Sequence, residues 1–392
     1  MAGRRSGSPV VALVLLLVVL TGCGGRPGVD PAAADVQRLL DRRAAAVLDH
    51  DERAYARTGT APDLARLRHV PLADWSYRVT GLHRTGGTAT ADAELRYRLA
   101  GHDRAPVTAG RTLRVSRDAD GQWSVDAERP AKKSAQQLWD QGVVQVVRGE
   151  HSLVLGVGQS GRSLRDFAAL ADRAVPAVSQ AWGTDWGRQV VVLVPKSLEG
   201  MAGLLGSPAS SYRGIAAVTT GETGARAPAD RVIVNPDAFA LLGGPGEQVV
   251  LTHETTHVAT RRDTTAATPL WLSEGYADWV GYRATGRTPS EVAPELARAV
   301  TRGRVPAGLP DDEDFGFTGD GSRLARAYES GWTACLLIAD RWGEARLGDF
   351  YRAVGEHRKR TGAVEEAMRE VLGTTREEFT GLWREYLREQ FG

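Results

Sequence analysis

Residues 250–259 read Val-Leu-Thr-His-Glu-Thr-Thr-His-Val-Ala and lie in a stretch of helical pattern that follows Gly243–Gly246. His253 and His257 are four residues apart, so on a helix they share one face and are separated by one turn. Both can therefore reach a single metal ion. Glu254 is displaced around the helix, where it can contact a water on that ion without being a ligand. This His-Glu-x-x-His pattern is typical of a helical zinc site.

A second motif supplies a third ligand. Sixteen residues separate His257 from Glu274, which lies within Trp271–Asp278, WLSEGYAD. Pro269 suits the first position of a helix, so Glu274 is expected to reach the metal from an adjacent helix. Three protein ligands leave one tetrahedral position for water, as in catalytic zinc sites. Asp278, one turn beyond Glu274, could accept the second ring N–H of a ligand histidine and fix its tautomer.

The two motifs together resemble those of the gluzincin zinc metallopeptidases, and within them the bacterial peptidase-MA-like family. The resemblance extends through Ala327–Trp332, AYESGW, and the last helix, so it covers about residues 150–392. It implies a peptide or protein substrate, Zn²⁺ bound by His253, His257 and Glu274, and Glu254 as the general base.

Two departures from this resemblance bear on specificity. The Gly-x-Met-Glu-Asn segment, with which the aminopeptidase branch holds a free amine, is not found upstream of His253. The spacing from His257 to Glu274 is also shorter than in thermolysin-like or aminopeptidase members. We therefore expect an endopeptidase.

Gluzincins typically present a strand edge to the substrate backbone, and the best candidate here is Gly214–Thr219, whose small side chains permit close approach of another chain.

Tyr328 is a second catalytic candidate. Zinc peptide hydrolysis develops a negative oxygen in its transition state, and these enzymes place a Tyr or His donor near it. One such donor can be worth about 10²–10³ in rate. Trp332 and Cys335 share the helix face of Tyr328. An aromatic side chain packed in the core is therefore the alternative interpretation of Tyr328, and Cys335 is interpreted as a small buried hydrophobe.

Two other functions stay open at this point. The chain could be a non-catalytic binding protein whose zinc site is vestigial or structural. A structural site would be closed by a fourth protein ligand, and none is evident in the nearby sequence. The chain could also hydrolyse some other amide, for example in the cell wall.

Composition excludes several broad classes of protein. The 392 residues are 42% hydrophobic and 25% charged, which is ordinary for a globular protein and excludes a disordered chain or a polytopic membrane protein. The formal net charge of +1 gives no indication of a nucleic-acid partner. Two cysteines are too few for a disulfide scaffold.

The N-terminus predicts export. Arg4 and Arg5 precede the apolar run Pro9–Leu20, which is too short to span a bilayer and suits the core of a signal peptide over residues 1–22. The run ends in Leu-Thr-Gly-Cys, which resembles the bacterial lipobox. That resemblance implies lipidation of Cys23, a tether over residues 23–33, and anchoring at the extracytoplasmic face of the cell membrane. The alternatives are an ordinary cleavage site or a membrane anchor.

The region between the tether and the zinc motifs predicts an α+β fold. Helical spacing over residues 34–57 precedes four segments that alternate apolar and polar residues, clearest in Ala89–Leu99. Such alternation predicts an antiparallel sheet with one buried face. A helix packed on a curved antiparallel sheet resembles the nuclear-transport-factor-2-like fold over residues 34–130. We interpret this domain as a spacer or a binding module.

A linker over residues 131–150 and a metallopeptidase domain over residues 151–392 complete the predicted α+β architecture. The second domain begins with short apolar runs, which predict strands at Ser152–Val157, Gln189–Val194, Gly214–Thr219 and Arg231–Asn235. The resemblance to the gluzincins implies that these strands form a mixed sheet. From residue 247 onward the pattern is helical, so the remainder of the domain is expected to be mostly α-helical.

Overall fold

The computed structural model describes residues 30–59, 64–221, 227–316 and 321–392. The strands within these ranges are β1 (Leu72–Thr85), β2 (Thr88–Leu99), β3 (Val107–Arg117), β4 (Trp123–Pro130), β5 (Val144–Arg148), β6 (Ser152–Val157), β7 (Val190–Val194), β8 (Ala217–Thr220) and β9 (Arg231–Val234). The α-helices are α1 (Pro31–Leu48), α2 (Glu52–Ala56), α3 (Gly161–Trp182), α4 (Leu198–Leu205), α5 (Pro236–Phe239), α6 (Gly243–Thr260), α7 (Leu270–Tyr282), α8 (Pro289–Val292), α9 (Pro294–Thr301), α10 (Gly321–Trp342), α11 (Glu344–Glu356), α12 (Ala363–Ala367) and α13 (Arg376–Phe391).

The first sheet is the predicted antiparallel meander, in the order β1-β2-β3-β4. Along β2 the side chains of Ala91, Leu95 and Tyr97 are buried, whereas the polar residues between them are more exposed. The buried face packs against the apolar stripe of α1. The prediction of an α+β fold, with an antiparallel sheet followed by a helical region, is confirmed. The resemblance to the nuclear-transport-factor-2-like fold stays a prediction.

The helical segment at the start differs from the predicted one. α1 begins at Pro31, inside the stretch predicted as a tether, and Asp30 caps it by accepting a hydrogen bond from Ala32 N. α1 ends at Leu48, because His50 takes a left-handed φ of 53° that a continuous helix cannot contain. The predicted signal peptide and Cys23 lie outside the described residues. Within the described part of the chain, no helix is both long and apolar enough to span a bilayer.

The second sheet has the order β5-β6-β7-β9-β8. Its inner strands β6, β7 and β9 run parallel, and the two edge strands are antiparallel to their neighbours. The four strands predicted from apolar runs are present, with β8 displaced towards the C-terminus relative to the predicted segment. β5 comes from the stretch predicted as a linker. Edge position matters most for β8, because one side of that strand faces no other strand among the described residues.

The stretch predicted as a linker is packed between the two sheets. Leu138 and Trp139 are buried in a core shared with the first sheet, which also receives Leu153 and Leu155 from β6. Asp140 accepts two hydrogen bonds, of 2.8 and 2.9 Å, from the buried guanidinium of Arg111 on β3. Apolar burial and a buried ion pair therefore hold these residues of the predicted linker in place.

A second buried ion pair joins the loop between β2 and β3 to the second sheet. Arg231 on β9 donates to both carboxylate oxygens of Asp103 at 2.8 and 2.9 Å, and the Asp103 side chain is fully buried. Removing one partner of such a pair typically costs about 3–5 kcal/mol, because the other charge is left buried and unpaired. A cavity of about 320 Å³ adjoins this contact. It lies between β2 and the face of the second sheet that presents Leu155, Leu193 and Ile233.

Two helices of the C-terminal half, α7 and α10, pack closely at a pair of glycines. A Cβ on Gly275 of α7 would lie 2.3 Å from the backbone of Gly331 of α10, and a Cβ on Gly331 would lie 2.6 Å from the carbonyl oxygen of Trp271. Neither position can hold a side chain without separating the helices. The glycines of the WLSEGYAD and AYESGW motifs thus permit the close contact that brings α10, with Tyr328, against α7, with Glu274.

We expect Gly331→Ala to destabilise the chain by about 1–3 kcal/mol, because the added methyl group forces two backbones apart. The matched control is Gly381→Ala in α13, where an added Cβ has nothing within 4 Å. That substitution should be neutral or stabilise by up to about 1 kcal/mol, since alanine favours a helix. Thermal unfolding of the two variants tests the contact, and equal melting temperatures would contradict it.

Candidate active site

Three metal-ligating side chains converge where α6 and α7 pack together. The Nε2 atoms of His253 and His257 lie 3.0 Å apart, and Oε2 of Glu274 lies 3.3 Å and 3.5 Å from them respectively. All three ligand atoms lie within 4.8 Å of one another. The side chains are 13 to 18% exposed, so the group is mostly buried but can still be reached by solvent. The structure thus brings together the three predicted zinc ligands.

Asp278 accounts for the orientation of His253. Its Oδ1 lies 2.8 Å from Nδ1 of that ring, the hydrogen bond predicted from the one-turn spacing between Glu274 and Asp278. A ring that donates its Nδ1–H to a carboxylate leaves the lone pair of Nε2 free, and Nε2 faces His257 and Glu274. The geometry therefore fits the predicted role of Asp278 in holding the tautomer that binds metal.

We expect Asp278→Ala to weaken zinc affinity by about 10–100-fold, the usual cost of losing the hydrogen-bond partner of a ligand histidine. Zinc should still bind, because all three ligands remain. Competition with a chelator of known affinity measures the change. Asp340→Ala is a suitable comparison, because Asp340 accepts a hydrogen bond from Tyr386 on α13, outside this group of ligands. Equal zinc affinity in wild type and Asp278→Ala would refute the role.

The charges of the site fit a divalent cation. Burial alone would lower the pKa of His253, but Asp278, Glu274 and Glu254 outweigh it and raise that pKa well above the usual value. Burial alone would raise the pKa of Glu274, but the two histidines hold it well below its usual range. Metal binding requires both imidazoles to be neutral. The carboxylates of Glu254, Glu274 and Asp278 then give the site a negative charge.

The donor set is also the one that zinc prefers. Two imidazole nitrogens and one carboxylate oxygen form a common catalytic zinc site, in which the fourth position is left to water or substrate. Among the described residues, His253, His257 and Glu274 are the group of three that could hold a metal ion. The residues present therefore fit zinc.

α7 is fixed at its N-terminus by the acidic run 311–314. Leu270 N, at the start of α7, donates to Oδ1 of Asp312 at 2.9 Å, and Arg360 pairs with the same carboxylate at 2.7 Å and 3.0 Å. An acidic side chain at a helix N-terminus satisfies a free N–H group and interacts favourably with the helix dipole. Asp312 thus helps to place the helix that carries Glu274.

Glu254 lies beside the ligands on α6, and its side chain points towards the second sheet. The residue is 7% exposed, and its Oε2 accepts a hydrogen bond of 2.6 Å from the hydroxyl of Thr219 on β8. The same hydroxyl lies 3.0 Å from the carbonyl oxygen of Glu254. An ionised carboxylate is costly to bury unless it is hydrogen-bonded, and Thr219 provides that bond.

Tyr328 lies across from these groups on α10. Its ring packs edge-on against Phe315, at 5.2 Å between ring centroids, and contacts the core of the helical region. Burial raises the pKa of Tyr328 well above its usual value, and the carboxylates of Glu274, Asp278 and Glu254 raise it further. The side chain thus packs in the core and also lies close enough to the charged groups of the site for them to raise its pKa. Its hydroxyl is a protonated donor at neutral pH.

The edge of β8 that faces no other strand among the described residues adjoins the site. Asn235 N donates to the carbonyl oxygen of Ala216 at 2.8 Å, and the register pairs Val218 with Ile233 on β9. Because bonding direction alternates along an antiparallel strand, the N–H and C=O groups of Ala217 and Thr219 point away from β9. Another extended chain could pair with them there.

No protein-family model matches this sequence, and no curated protein matches it. Solved structures share a slight likeness. Yeast LTA4 hydrolase is 13% identical over 71% of this chain and 44% of its own, with a TM-score of 0.37. An M1 zinc metallopeptidase from Deinococcus radiodurans is 15% identical over 79% of this chain and 60% of its own, with a TM-score of 0.34. The chain thus spans less than two thirds of either protein, and the case for a function rests on its own side chains.

Sequence reasoning missed Thr219 and Asp312 as parts of the site. The strand that ends in Thr219 was expected beside the zinc for its backbone, but no local pattern shows which side chain of a strand meets a helix. The acidic run around Asp312 was visible as a charge cluster without the spacing of a calcium loop. Its partners, Leu270 and Arg360, are 42 and 48 residues away in the sequence.

Proposed function

We propose that this chain is a zinc-dependent metallopeptidase. The observation that carries the proposal is the convergence of His253, His257 and Glu274 on one point, with Glu254 next to His253 on the helix that carries both histidines. Each of these residue types has a distinct task in zinc-assisted hydrolysis. Together they satisfy the chemistry of a catalytic site rather than that of a surface helix with idle histidines.

The mechanism follows from where the side chains lie. Zinc, when bound by His253, His257 and Glu274, supplies a Lewis acid that polarises a carbonyl and lowers the pKa of water from about 15.7 towards ~7. We assign to Glu254 the task of accepting the proton of the attacking water and passing it to the leaving nitrogen. We assign to the Tyr328 hydroxyl the donation of a hydrogen bond to the oxygen that becomes negative in the transition state. The support for this role is that the carboxylates of Glu274, Asp278 and Glu254 act on the pKa of this hydroxyl.

A structural zinc site is the main competing interpretation. Such a site requires a fourth protein ligand, yet the described residues contribute three to this group. Asp278, the next carboxylate, is hydrogen-bonded to Nδ1 of His253 and so is engaged elsewhere. A vestigial site would not need a buried, hydrogen-bonded Glu254, because that residue is not a ligand.

Endopeptidase activity is the finer part of the proposal. Pairing with the free edge of β8 draws affinity from main-chain hydrogen bonds, so it tolerates many substrate sequences. The chain also lacks the motif with which the aminopeptidase branch holds a free amine. Both observations favour cleavage within a peptide, with the substrate extended along Ala217 and Thr219.

A library of proteome-derived peptides tests the function. The zinc-loaded chain should cleave a subset of them, as read by mass spectrometry, and chelation should abolish the cleavage. Parallel libraries with acetylated and free N-termini separate the two specificities, because an endopeptidase should cut both equally. Strict dependence on a free amine would overturn the endopeptidase assignment, and an absence of any zinc-dependent cleavage would overturn the peptidase assignment.

We also propose that the chain is a lipoprotein of the extracytoplasmic face of the cell membrane. The support is the sequence alone: a basic start, a short apolar run and Leu-Thr-Gly-Cys ending at Cys23. Two acyl chains on this cysteine would suffice for stable anchoring, whereas one chain binds a membrane only marginally. The site would then face substrates outside the cytoplasm.

Cys23→Ser should abolish lipidation and release the chain from the membrane fraction. The expected result is loss of labelling by a fatty-acid analogue, with the protein recovered in the soluble fraction. Cys335→Ser is the matched control, because Cys335 is fully buried in the core of the helical region and should leave labelling unchanged. Labelling that persists in Cys23→Ser would refute the lipobox assignment.

A further inference from the structure

We propose that Thr219 is a positioning residue for Glu254, so that the strand edge offered to the substrate also orients the general base. This inference rests on the proposed peptidase function and assigns a role to a side chain outside the zinc motifs. Its basis is the 2.6 Å hydrogen bond from the Thr219 hydroxyl to Oε2 of Glu254.

The hydroxyl meets Glu254 at two points. It lies 2.6 Å from Oε2 and 3.0 Å from the main-chain carbonyl oxygen of the same residue. The hydroxyl has one proton, and the shorter distance assigns it to Oε2, so this hydrogen bond fixes the rotation of the Glu254 side chain. The 3.0 Å approach to the carbonyl oxygen shows how closely β8 lies against α6. Among the described residues, Thr219 is the hydrogen-bond donor that the structure gives to this carboxylate. Without this hydrogen bond, no donor among the described residues would fix the orientation of the Glu254 carboxylate.

Burial makes this bond important. The side chain of Glu254 is nearly enclosed, and a charge-assisted hydrogen bond in such surroundings is stronger than an exposed one. Catalysis by a general base depends on geometry first, since a displacement of about 1 Å can cost on the order of 10²-fold in rate. The hydroxyl of Thr219 holds Oε2 on the β8 side of α6.

The location of Thr219 links binding to chemistry. Its backbone groups point to the free edge of β8, by the alternation described above, while its side chain points to α6. A peptide that pairs with this edge would therefore contact the residue that orients the base. Removal of the hydroxyl should consequently slow the chemical step, while the backbone edge that binds the substrate stays intact.

Three substitutions of similar size separate this role from a merely structural one. Thr219→Val removes the hydroxyl and keeps the branched shape, whereas Thr219→Ser keeps the hydroxyl. Thr220→Val is the matched control on the same strand, because the Thr220 side chain lines the cavity on the opposite face of the sheet. Each variant of the zinc-loaded full-length chain is assayed for zinc content, melting temperature, kcat and KM.

We expect Thr219→Val to lower kcat by about 10–100-fold, with KM changed by less than about threefold and zinc content unchanged. Thr219→Ser should retain most of the wild-type kcat, and Thr220→Val should match wild type. A structural role predicts instead a lower melting temperature with kcat and KM affected together. An unchanged kcat in Thr219→Val, or a Thr219→Ser variant as slow as Thr219→Val, would overturn the proposal.

A crystal structure of zinc-loaded Thr219→Val gives a readout that does not depend on activity. We expect the Glu254 carboxylate to leave its wild-type position or to occupy more than one rotamer, with His253, His257 and Glu274 unmoved. If Glu254 keeps its wild-type position, the positioning role is wrong even where activity falls. If wild type cleaves no peptide, the proposed function fails, and the same crystal structure still decides whether Thr219 holds Glu254.

Discussion

Purified wild-type chain should hold about one zinc ion, and His253→Ala or His257→Ala should each abolish tight binding of that ion. Each substitution removes one of three ligands and leaves two, with a water in place of the lost imidazole. We expect affinity to fall by more than the roughly 10–100-fold that loss of an outer partner such as Asp278 costs. Hydrolysis should disappear in parallel, because the zinc that polarises the carbonyl is no longer held.

Elemental analysis after dialysis against a dilute chelator measures this effect. His83→Ala is the matched control, because His83 lies on β1 with its side chain 75% exposed and has no part in the group of three. It should retain full zinc content. Equal zinc in wild type and in both site variants would show that the two histidines do not bind the metal, and would remove the basis of the proposed function.

The group of three metal-ligating side chains could be predicted from sequence because its geometry is mostly local. The spacing of His253 and His257 places both on one helix face wherever that helix lies in the fold. Glu274 required one further assumption, that the next helix packs against the first. The structure shows this contact at Gly281 of α7, where an added Cβ would lie 3.1 Å from the carbonyl oxygen of Val249 on α6. Gly275, which lies next to this glutamate, allows α7 to pack closely against α10 as well. The motif thus encodes a helix contact as well as a ligand.

The strands of the first sheet were predictable for a similar reason. β2 buries alternate side chains from Ala89 to Leu99, and a period of two residues shows directly in the sequence. The break in the first helix was not predictable from this pattern. The apolar spacing continues from α1 into Tyr55 of α2, which is also buried, although the backbone turns at His50. The spacing of apolar residues shows which side chains are buried. Burial continues past His50 to Tyr55, although the helix ends at Leu48.

The contacts missed by sequence analysis join residues that are far apart in the chain. Asp140 reaches Arg111 across 29 residues, and Asp103 reaches Arg231 across 128. Each of these polar residues alone is typical of an exposed surface. Their burial follows from the packing of the two sheets, which no local period encodes. The stretch predicted as a linker is packed between the sheets for the same reason.

Thr219 shows the same limit at the site itself. The apolar run that ends with this residue indicated a strand, and the structure displaces the strand to Ala217–Thr220. Which of its side chains meets Glu254 depends on strand order and on register, since a shift of one residue would turn Thr219 to the other face. The sequence therefore located the strand edge but could not assign the hydroxyl.

Glu254→Gln should bind zinc as wild type does and yet lose hydrolysis. The side chain is not a ligand, and glutamine keeps the size and one acceptor oxygen for the Thr219 hydroxyl. What it cannot do is accept a proton, so the attacking water is no longer activated and the leaving nitrogen receives no proton. We expect kcat to fall by about 10²–10⁴-fold, the range that general acid–base catalysis contributes.

The combination of readouts gives this variant its value. Zinc content and melting temperature should match wild type, which separates loss of chemistry from loss of the metal or of the fold. Glu247→Gln, on the same helix but outside the group of ligands, should cleave like wild type. A Glu254→Gln variant that cleaves peptides at the wild-type rate would show that this carboxylate is not the base. A variant that loses zinc as well would instead mean that Glu254 supports the metal, and that the assignment of three ligands and a separate base is wrong.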